Sequence, residues 1–254
     1  MEIIVLVKAV SIESHVNYSE PKTRLESGIL KINPVDESAI EKALRIKEAT
    51  GAQITVVSMG IRNTERLLRN IVAAGADKAV LITSQEYAGS DTVATSRIIS
   101  RAIEKIGKPD LIMCGRRSVD SETGNIPVQI ACFLKMKCLT NVIDLGFNNG
   151  TWQLKTLTDE EEQIFEAQAP IVISYADDSL NLRNPTVNQL RHIKNDWLSI
   201  LTNHELVFRK DEVGILGSAT KVAETEIIEY PKKNTIIIND SVSGAHEIFN
   251  KIRK

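Results

Sequence analysis

The sequence predicts an α/β protein on a doubly wound, mostly parallel sheet, and three observations carry that expectation. Short runs of consecutive apolar residues alternate with amphipathic stretches of helical period through the first half of the chain. The first three helical stretches each end on a glycine, at Gly51, Gly75 and Gly107. The 254 residues, 43% apolar and 25% charged, suffice for a sizeable core in one large domain with an appendage or in two small ones.

The strands expected first are Ile3 to Val7, Ile54 to Ser58, Ala79 to Thr83 and Leu111 to Cys114. Each is too short for a helix and apolar on successive residues, as strands buried on both faces are. Between the first two, Asn33 is placed to cap a helix and Pro34 suits its first position, while Asp36 and Glu37 put negative charge on its positive end. Ala39, Ile40, Ala43, Leu44 and Ile46 trace its inner face, with Glu41, Lys42 and Arg45 toward water. A second helix runs from Asn63 to Ala74 with Leu67, Leu68, Ile71 and Val72 inward, and a third from Ser90 or Asp91 to Gly107. The polar run RRSVDSETGN then opens a fourth helix, starting at Thr123 and reaching Lys135. Residues 139–175 read as strands around a turn at Asn148-Asn149-Gly150, with glutamates 160–162 at a solvated strand end. The sheet is expected to finish there. Residues 182–203 suggest one or two short helices, NTIIIN (234–239) a strand, and 241–253 a last helix. The weakly patterned stretch 211–222 would expose Val213, Ile215 and Leu216 unless something covers them.

Composition removes several function classes. A net charge of -2 offers no general basic field for nucleic acid or anionic lipid. No apolar run approaches the roughly 20 residues that cross a bilayer, so no membrane insertion is expected. MEIIVLVKAV has no basic stretch ahead of its apolar run, so a signal peptide is not expected and the location is expected to be cytoplasmic. Cys114, Cys132 and Cys138 are expected reduced and mostly buried, and the scattered His15, His192, His204 and His246 form no metal-ligand spacing. There is no G-x-G-x-x-G after the first strand, no P-loop and no nucleophile elbow, so no catalytic residue is assigned.

Open sheets of this class bind ligands beyond the carboxyl ends of their strands, where strand order reverses. The richest loop there is Gly115 to Asn125, crowding Ser118, Asp120, Ser121, Glu122, Thr123 and Asn125 around a helix start. A phosphate could dock on such a start, and the same residues serve equally as caps of a surface helix. The run 88–96 has the same logic, with Asp91 or Ser90 as cap and Thr92 and Thr95 facing the first turn. Thr140, on the strand-rich side, is expected to lie away from this pocket.

Several segments, in order, resemble electron-transfer flavoprotein β subunits. KINPVDESAIEKALRIKE (31–48) is similar to N-P-x-[DE]-E-x-A-[IV]-E-x-A-L-R-[IL]-K-E, and VVSMG, AAGADKAVLIT and GSDTVATSRIIS to later segments of that family. DLIMCGRRSVDSETGNIPVQIACFL resembles its D-L-I-[LI]-C-G-[KR]-Q-A-[IV]-D-G-D-T-x-Q-V-G signature. PIVISYADDSLNLRNPTVNQLRHIK resembles its partner-recognition loop, and VGILGSATKV the arm of many bacterial members. Departures include VKAVSIE for V-K-x-V-P-D, Arg117 at the Gln of K-Q-A, Glu122 within G-D-T, and Asn125 and Pro127 for Gln and the last Gly.

The resemblance implies a Rossmann-like nucleotide-binding core over 1–190 and an arm with a terminal helix over 191–254 that packs on an α subunit. It implies an adenine nucleotide held by Leu6, Asn33, Met59, Ser118, Asp120, Thr123, Gly124, Asn125 and Ile126. Asp91, Thr92 and Thr95 would lie beside the pyrophosphate of FAD, and Val187 and Asn188 in the loop that meets a flavin-dependent dehydrogenase of the acyl-CoA dehydrogenase type. DTVATS and GILGSATKV favour FAD over AMP and a type that draws on NADH and bifurcates electrons, the alternatives being an AMP-binding carrier or a nucleotide-binding regulator without flavin. A nucleotide-using ligase or hydrolase would need a glycine loop after the first strand, which Lys8-Ala9-Val10 does not supply.

Overall fold

The structure, a computed structural model, describes residues 1–11, 29–158, 161–221 and 240–252. Strand β1 (Glu2–Leu6) leads to a short antiparallel pair, β2 (Ala9–Ser11) and β3 (Leu30–Ile32), and then to helix α1 (Pro34–Thr50). Strand β4 (Gln53–Met59) is followed by α2 (Glu65–Ala74), β5 (Lys78–Ile82) by α3 (Thr92–Ile106), and β6 (Leu111–Gly115) by α4 (Ile126–Leu134). A meander of β7 (Lys137–Asn148), β8 (Thr151–Leu157) and β9 (Glu162–Ala167) precedes β10 (Ile171–Tyr175). The order continues through α5 (Val187–Arg191), β11 (Leu198–Leu201), α6 (Asn203–Leu206), α7 (Gly214–Gly217) and α8 (Ser241–Ile252).

The strands form a nine-stranded sheet in the order β11-β5-β4-β1-β6-β10-β7-β8-β9. Pairing is parallel from β11 to β7 and antiparallel through β8 and β9. From β1 the chain moves outward to β4 and β5, then returns to lay β6 on the other side, so order reverses between β1 and β6. Successive side chains of β1 serve opposite faces. Ile3 and Val5 join Ala39, Ile40, Leu44, Leu68 and Ile71 of α1 and α2 in one cluster. Ile4 and Leu6 join Ile98, Ala102, Ile103, Ile130 and Ala131 of α3 and α4 in the other. This two-sided burial is why the central strands read as unbroken apolar runs.

The structure departs from the sequence expectations at definite places. The sheet does not finish at Tyr175, because Trp197 and β11 return to extend it beside β5. Strands β2 and β3 were unforeseen; at three residues each they carry no period. Glu41 does not face water. The segment after β10 folds over α1 and seals it with Arg183, whose Nε lies 3.0 Å from Oε2 and Nη2 2.8 Å from Oε1 of a carboxylate side chain only 5% exposed. Arg45 adds a further bond at 3.0 Å. Cys114 is buried, but Cys132 and Cys138 are exposed, on the outward side of α4 and at the start of β7. Val213 is buried against the α3 side of the sheet, whereas Ile215 and Leu216 are exposed as expected. The Asn148–Thr151 hairpin forms as read, with Asn149 and Gly150 both at positive φ.

Contacts divide the chain into Met1–Lys221 and Val222–Lys254. The second unit contributes α8, on which Val242, Ile248 and Phe249 are exposed. NTIIIN lies outside the described residues.

Burial pushes the Glu41 carboxyl up, but the bonds from Arg183 and Arg45 outweigh it and hold it below the usual glutamate range. Arg183→Leu strands that carboxylate with Arg45 alone and is expected to cost about 3–5 kcal/mol in urea unfolding. The double variant with Glu41→Leu should recover much of the loss; an Arg183→Leu cost below about 1 kcal/mol would show the pair to be a screened surface contact.

Candidate functional site

Where β1 and β6 part, the last N–H groups of two neighbouring strands need acceptors. Asp36, in the first turn of α1, provides both. Its Oδ2 accepts from Lys8 N at 2.8 Å and its Oδ1 from Gly115 N at 3.0 Å, with the side chain itself buried. Residue 115 has to be glycine, because a Cβ would sit 2.4 Å from Asp36 Oδ1 and 3.0 Å from the backbone of Val35. Burial pushes the Asp36 carboxyl up to about 7, against the pull of the Lys8 N–H, the Asn33 side chain and the Gly115 N–H.

Asn33 occupies the cap position of α1, but its side chain makes no cap bond. It reaches instead to the loop after β6, with Nδ2 donating to Arg117 O at 3.0 Å and Oδ1 accepting from Val119 N at 3.1 Å. Lys8 completes the bracket. Its Nζ lies 2.7 Å from Asp120 Oδ1 and 3.3 Å from Ser118 Oγ, and Ser118 in turn meets Ser121 at 2.9 Å. Burial raises the Asp120 carboxyl, yet the bonds from Lys8 and Ser118 prevail and hold it below the usual aspartate range.

The loop enters α4 later than expected. Gly124 takes φ +65°, Pro127 stands in the first turn, and the helix begins at Ile126, which leaves Thr123 and Gly124 in the loop. Asn125 holds the cap position without a side-chain cap bond. The reading of this run as caps of a surface helix is therefore not what the geometry displays, and the first N–H groups of α4 keep no side-chain acceptor among the described residues. Leu6 belongs to the buried cluster on the α3/α4 side, and Met59 and Ile126 pack against that cluster.

The α3 start stands beside this loop. Asp91 caps it as expected, Oδ1 accepting from Ala94 N at 2.9 Å. Its Oδ2 accepts from Thr220 N and Oγ1, and its own N–H donates to Ser218 Oγ, so the GSAT segment rests on the cap. Thr92 Oγ1 accepts from Gln129 Nε2 of α4 at 3.2 Å, and Gln129 also binds Ser96, which ties the two helices together. Thr95 follows, half-buried. Val187 and Asn188 lie apart, on α5, where Val187 is exposed and Thr186 forms a capping box with Gln189. Leu190 O of this helix accepts from Arg69 of α2.

One expectation fails outright. Thr140 lines a cleft of about 310 Å³ together with Arg116, Arg117, Glu122, Gly124, Asn141 and Ser174. Strand β7 enters parallel to β10, which brings its start back over the loop. Lys8 and Asp36 were missed as site residues: Lys8 entered only as a failed glycine loop and Asp36 only as a dipole charge. The signal for Lys8 was its place, a cation just beyond the first strand's carboxyl end. Among the described residues no group of three His, Cys, Asp or Glu could hold a metal. The donor set fits a nucleotide in general: an apolar floor, hydroxyls and an ammonium around a loop, and helix N–H groups that suit a phosphate.

The profile of the electron transfer flavoprotein domain matches residues 25–189. The electron transfer flavoprotein subunit beta of Thermoanaerobacterium thermosaccharolyticum is 35% identical over 229 residues, covering 89% of this chain and 87% of that protein. The acryloyl-CoA reductase electron transfer subunit gamma of Anaerotignum propionicum is 36% identical over 198 residues, 75% of this chain and 74% of its own length. The caffeyl-CoA reductase-Etf complex subunit CarD of Acetobacterium woodii is 30% identical over 226 residues, 87% of this chain and 86% of its own.

Asp36 makes stability depend on pH. The unfolded chain loses this proton near the ordinary value of 3.8 and the folded chain near 7, so between them the fold holds one proton more. Its contribution is full below 3.8 and is lost as pH rises through 7, at up to roughly 1.4 kcal/mol per pH unit. Unfolding free energies from pH 5 to 8 should show this slope in the wild type and lack it in Asp36→Asn. Identical slopes would mean that Asp36 is already ionised at pH 5.

Proposed function

The chain belongs to the electron transfer flavoprotein family, and from that premise we propose that it is a β-type subunit that pairs with an α subunit to pass electrons between flavin-dependent dehydrogenases and other redox carriers. The observation that carries the reading is one of placement. The segments that the resemblance gives to the nucleotide lie at the carboxyl ends of β1 (Leu6) and β4 (Met59) and in the loop after β6 (118–126), to which Asn33 is bonded, and Thr92 is tied to α4 through Gln129.

Here Leu6, Met59 and Ile126 would bed the adenosine, while Thr123 and the N–H groups at the α4 start would hold phosphate. Lys8 would offset charge on the phosphate, since its partner Asp120 leaves it partly exposed. We assign FAD to the site over AMP on the resemblance of the run 91–96, whose Thr92 and Thr95 hydroxyls would stand beside a pyrophosphate while Asp91 keeps its cap contacts. A bound flavin would supply the redox chemistry, and the protein position, desolvation and electrostatic tuning. NADH would be the donor in a bifurcating complex in the cytoplasm. Relatives named for CoA-ester reductases support a partner of the acyl-CoA dehydrogenase type, met through exposed Val187 and Asn188. The described helices include none long and apolar enough to cross a membrane.

The flavin content of the purified αβ complex tests the ligand. Two flavins per pair support FAD at the β site; one flavin with AMP assigns the simpler carrier; a colourless complex overturns the reading. Thr123→Val removes one hydroxyl donor at nearly constant volume and should weaken nucleotide binding about ten- to hundredfold. Thr151→Val, on β8, is the control, because Thr140 lines the neighbouring cleft. Equal affinities in all three proteins would take the phosphate role from Thr123.

Val187→Glu places a charge on the exposed start of α5. It should slow electron exchange with the cognate dehydrogenase about tenfold or more at unchanged flavin content. Loss of flavin instead would put this helix at the nucleotide.

A further inference from the structure

The cleft that includes Thr140 has a chemistry of its own. Arg116 continues the β6 line, its N–H donating to Tyr175 O at 2.9 Å, so its side chain springs from a fixed strand end. Its guanidinium has no ion pair or hydrogen bond among the described residues. Arg117 beside it has one weak tie, Nη1 to Glu122 Oε2 at 3.5 Å, between side chains 45% and 59% exposed. Across the cleft, Asn141 stands in the left-handed region at φ +57° where the β7–β10 register shifts, its N–H anchored on the buried Ser174 Oγ at 2.9 Å. Glu122 at φ +50° and Gly124 at φ +65° line the same space. Unusual backbone at three points around one concavity shapes its walls rather than its packing.

We propose that this cleft binds a phosphoryl oxyanion, with Arg116 and Arg117 as the cations, Thr140 and Asn141 as neutral donors on the facing wall, and Glu122 as an internal competitor for Arg117. About 310 Å³ exceeds what one carboxylate fills and accommodates a diphosphate. Guanidinium forks match the several oxygens of such a group. The loop 116–124 serves both places: its Arg117 and Val119 backbone groups bind Asn33 at the β1/β6 crevice, and its Arg116, Arg117, Glu122 and Gly124 line this cleft.

The probe is inorganic pyrophosphate, titrated calorimetrically at low ionic strength into the purified protein with the subunit that accompanies it, with and without saturating AMP. One site per chain is expected, with an unchanged dissociation constant when AMP is present. Arg116→Gln and Arg117→Gln should each weaken it about tenfold or more. Glu122→Gln should tighten it about threefold, a change that a damaged fold does not produce. Displacement by AMP would assign these phosphate contacts to the nucleotide and overturn a separate site. So would the absence of binding, indifference to Arg116→Gln, or weaker or equal binding in Glu122→Gln. Failure of both AMP and FAD to bind at the β1/β6 crevice would count against the nucleotide reading and leave the pyrophosphate result standing.

Discussion

A single carboxylate, that of Asp36, sets the geometry on which the functional edge of this molecule depends. Parallel strands that part company leave N–H groups pointing into the gap, and in a dry gap each needs an acceptor. Asp36 supplies two from the first turn of a helix, clasping Lys8 and Gly115 at once. Desolvation makes this arrangement costly, and the Lys8 N–H, the Gly115 N–H and the Asn33 side chain offset it by holding the carboxylate. Because the backbone of Lys8 is fixed there, its ammonium is aimed at Asp120; because Gly115 is fixed, Arg116 and Arg117 leave in defined directions. The crevice is thus held from beneath, by buried groups, rather than by its exposed loop residues.

Much of this was legible because its causes are local. Strands buried on both faces must be apolar throughout, and helices that pack on them must be apolar on one side and must stop, so β1, β4, β5 and β6 and the helices between them stand in the sequence. The polar loop after β6 was legible too, since a strand end followed by hydroxyls and a helix is a local pattern. What escaped depends on distant pairing. Asp36 meets partners 28 and 79 residues away and Glu41 one 142 away, and no window along the chain holds both members. Strand β11 is four residues long and strand only because β5 has a free edge there. Thr140 was misplaced for the same reason, since the sequence does not reveal that β10 lies between β6 and β7.

The two polar clusters on this edge differ in how they are satisfied. The α3 start is closed by the chain itself, for Asp91 caps one helix turn and simultaneously holds Thr220. Gly214 and Gly89 make that closure possible: a Cβ on the first would lie 2.3 Å from Glu86 O and on the second 2.4 Å from Ile215. The α4 start, by contrast, receives no side-chain cap. Backbone polarity at the α3 start is therefore met by the chain's own side chains, whereas the first turn of α4 has no such partner among the described residues.

The order of strands also governs how the molecule can be made. Strands β7, β8 and β9 leave the ribosome before β10, yet β10 takes the place between β6 and β7, so the meander cannot settle against the sheet as it emerges. Until residue 175 is out, β6 presents an open parallel edge, and β5 presents another until residue 201. Both gaps are closed by the latest strands of the core, after most of its apolar surface has been synthesised. The nascent chain therefore passes through a window in which half-built sheet edges have no strand of their own to pair with, which is the stage at which pairing with other chains competes with folding.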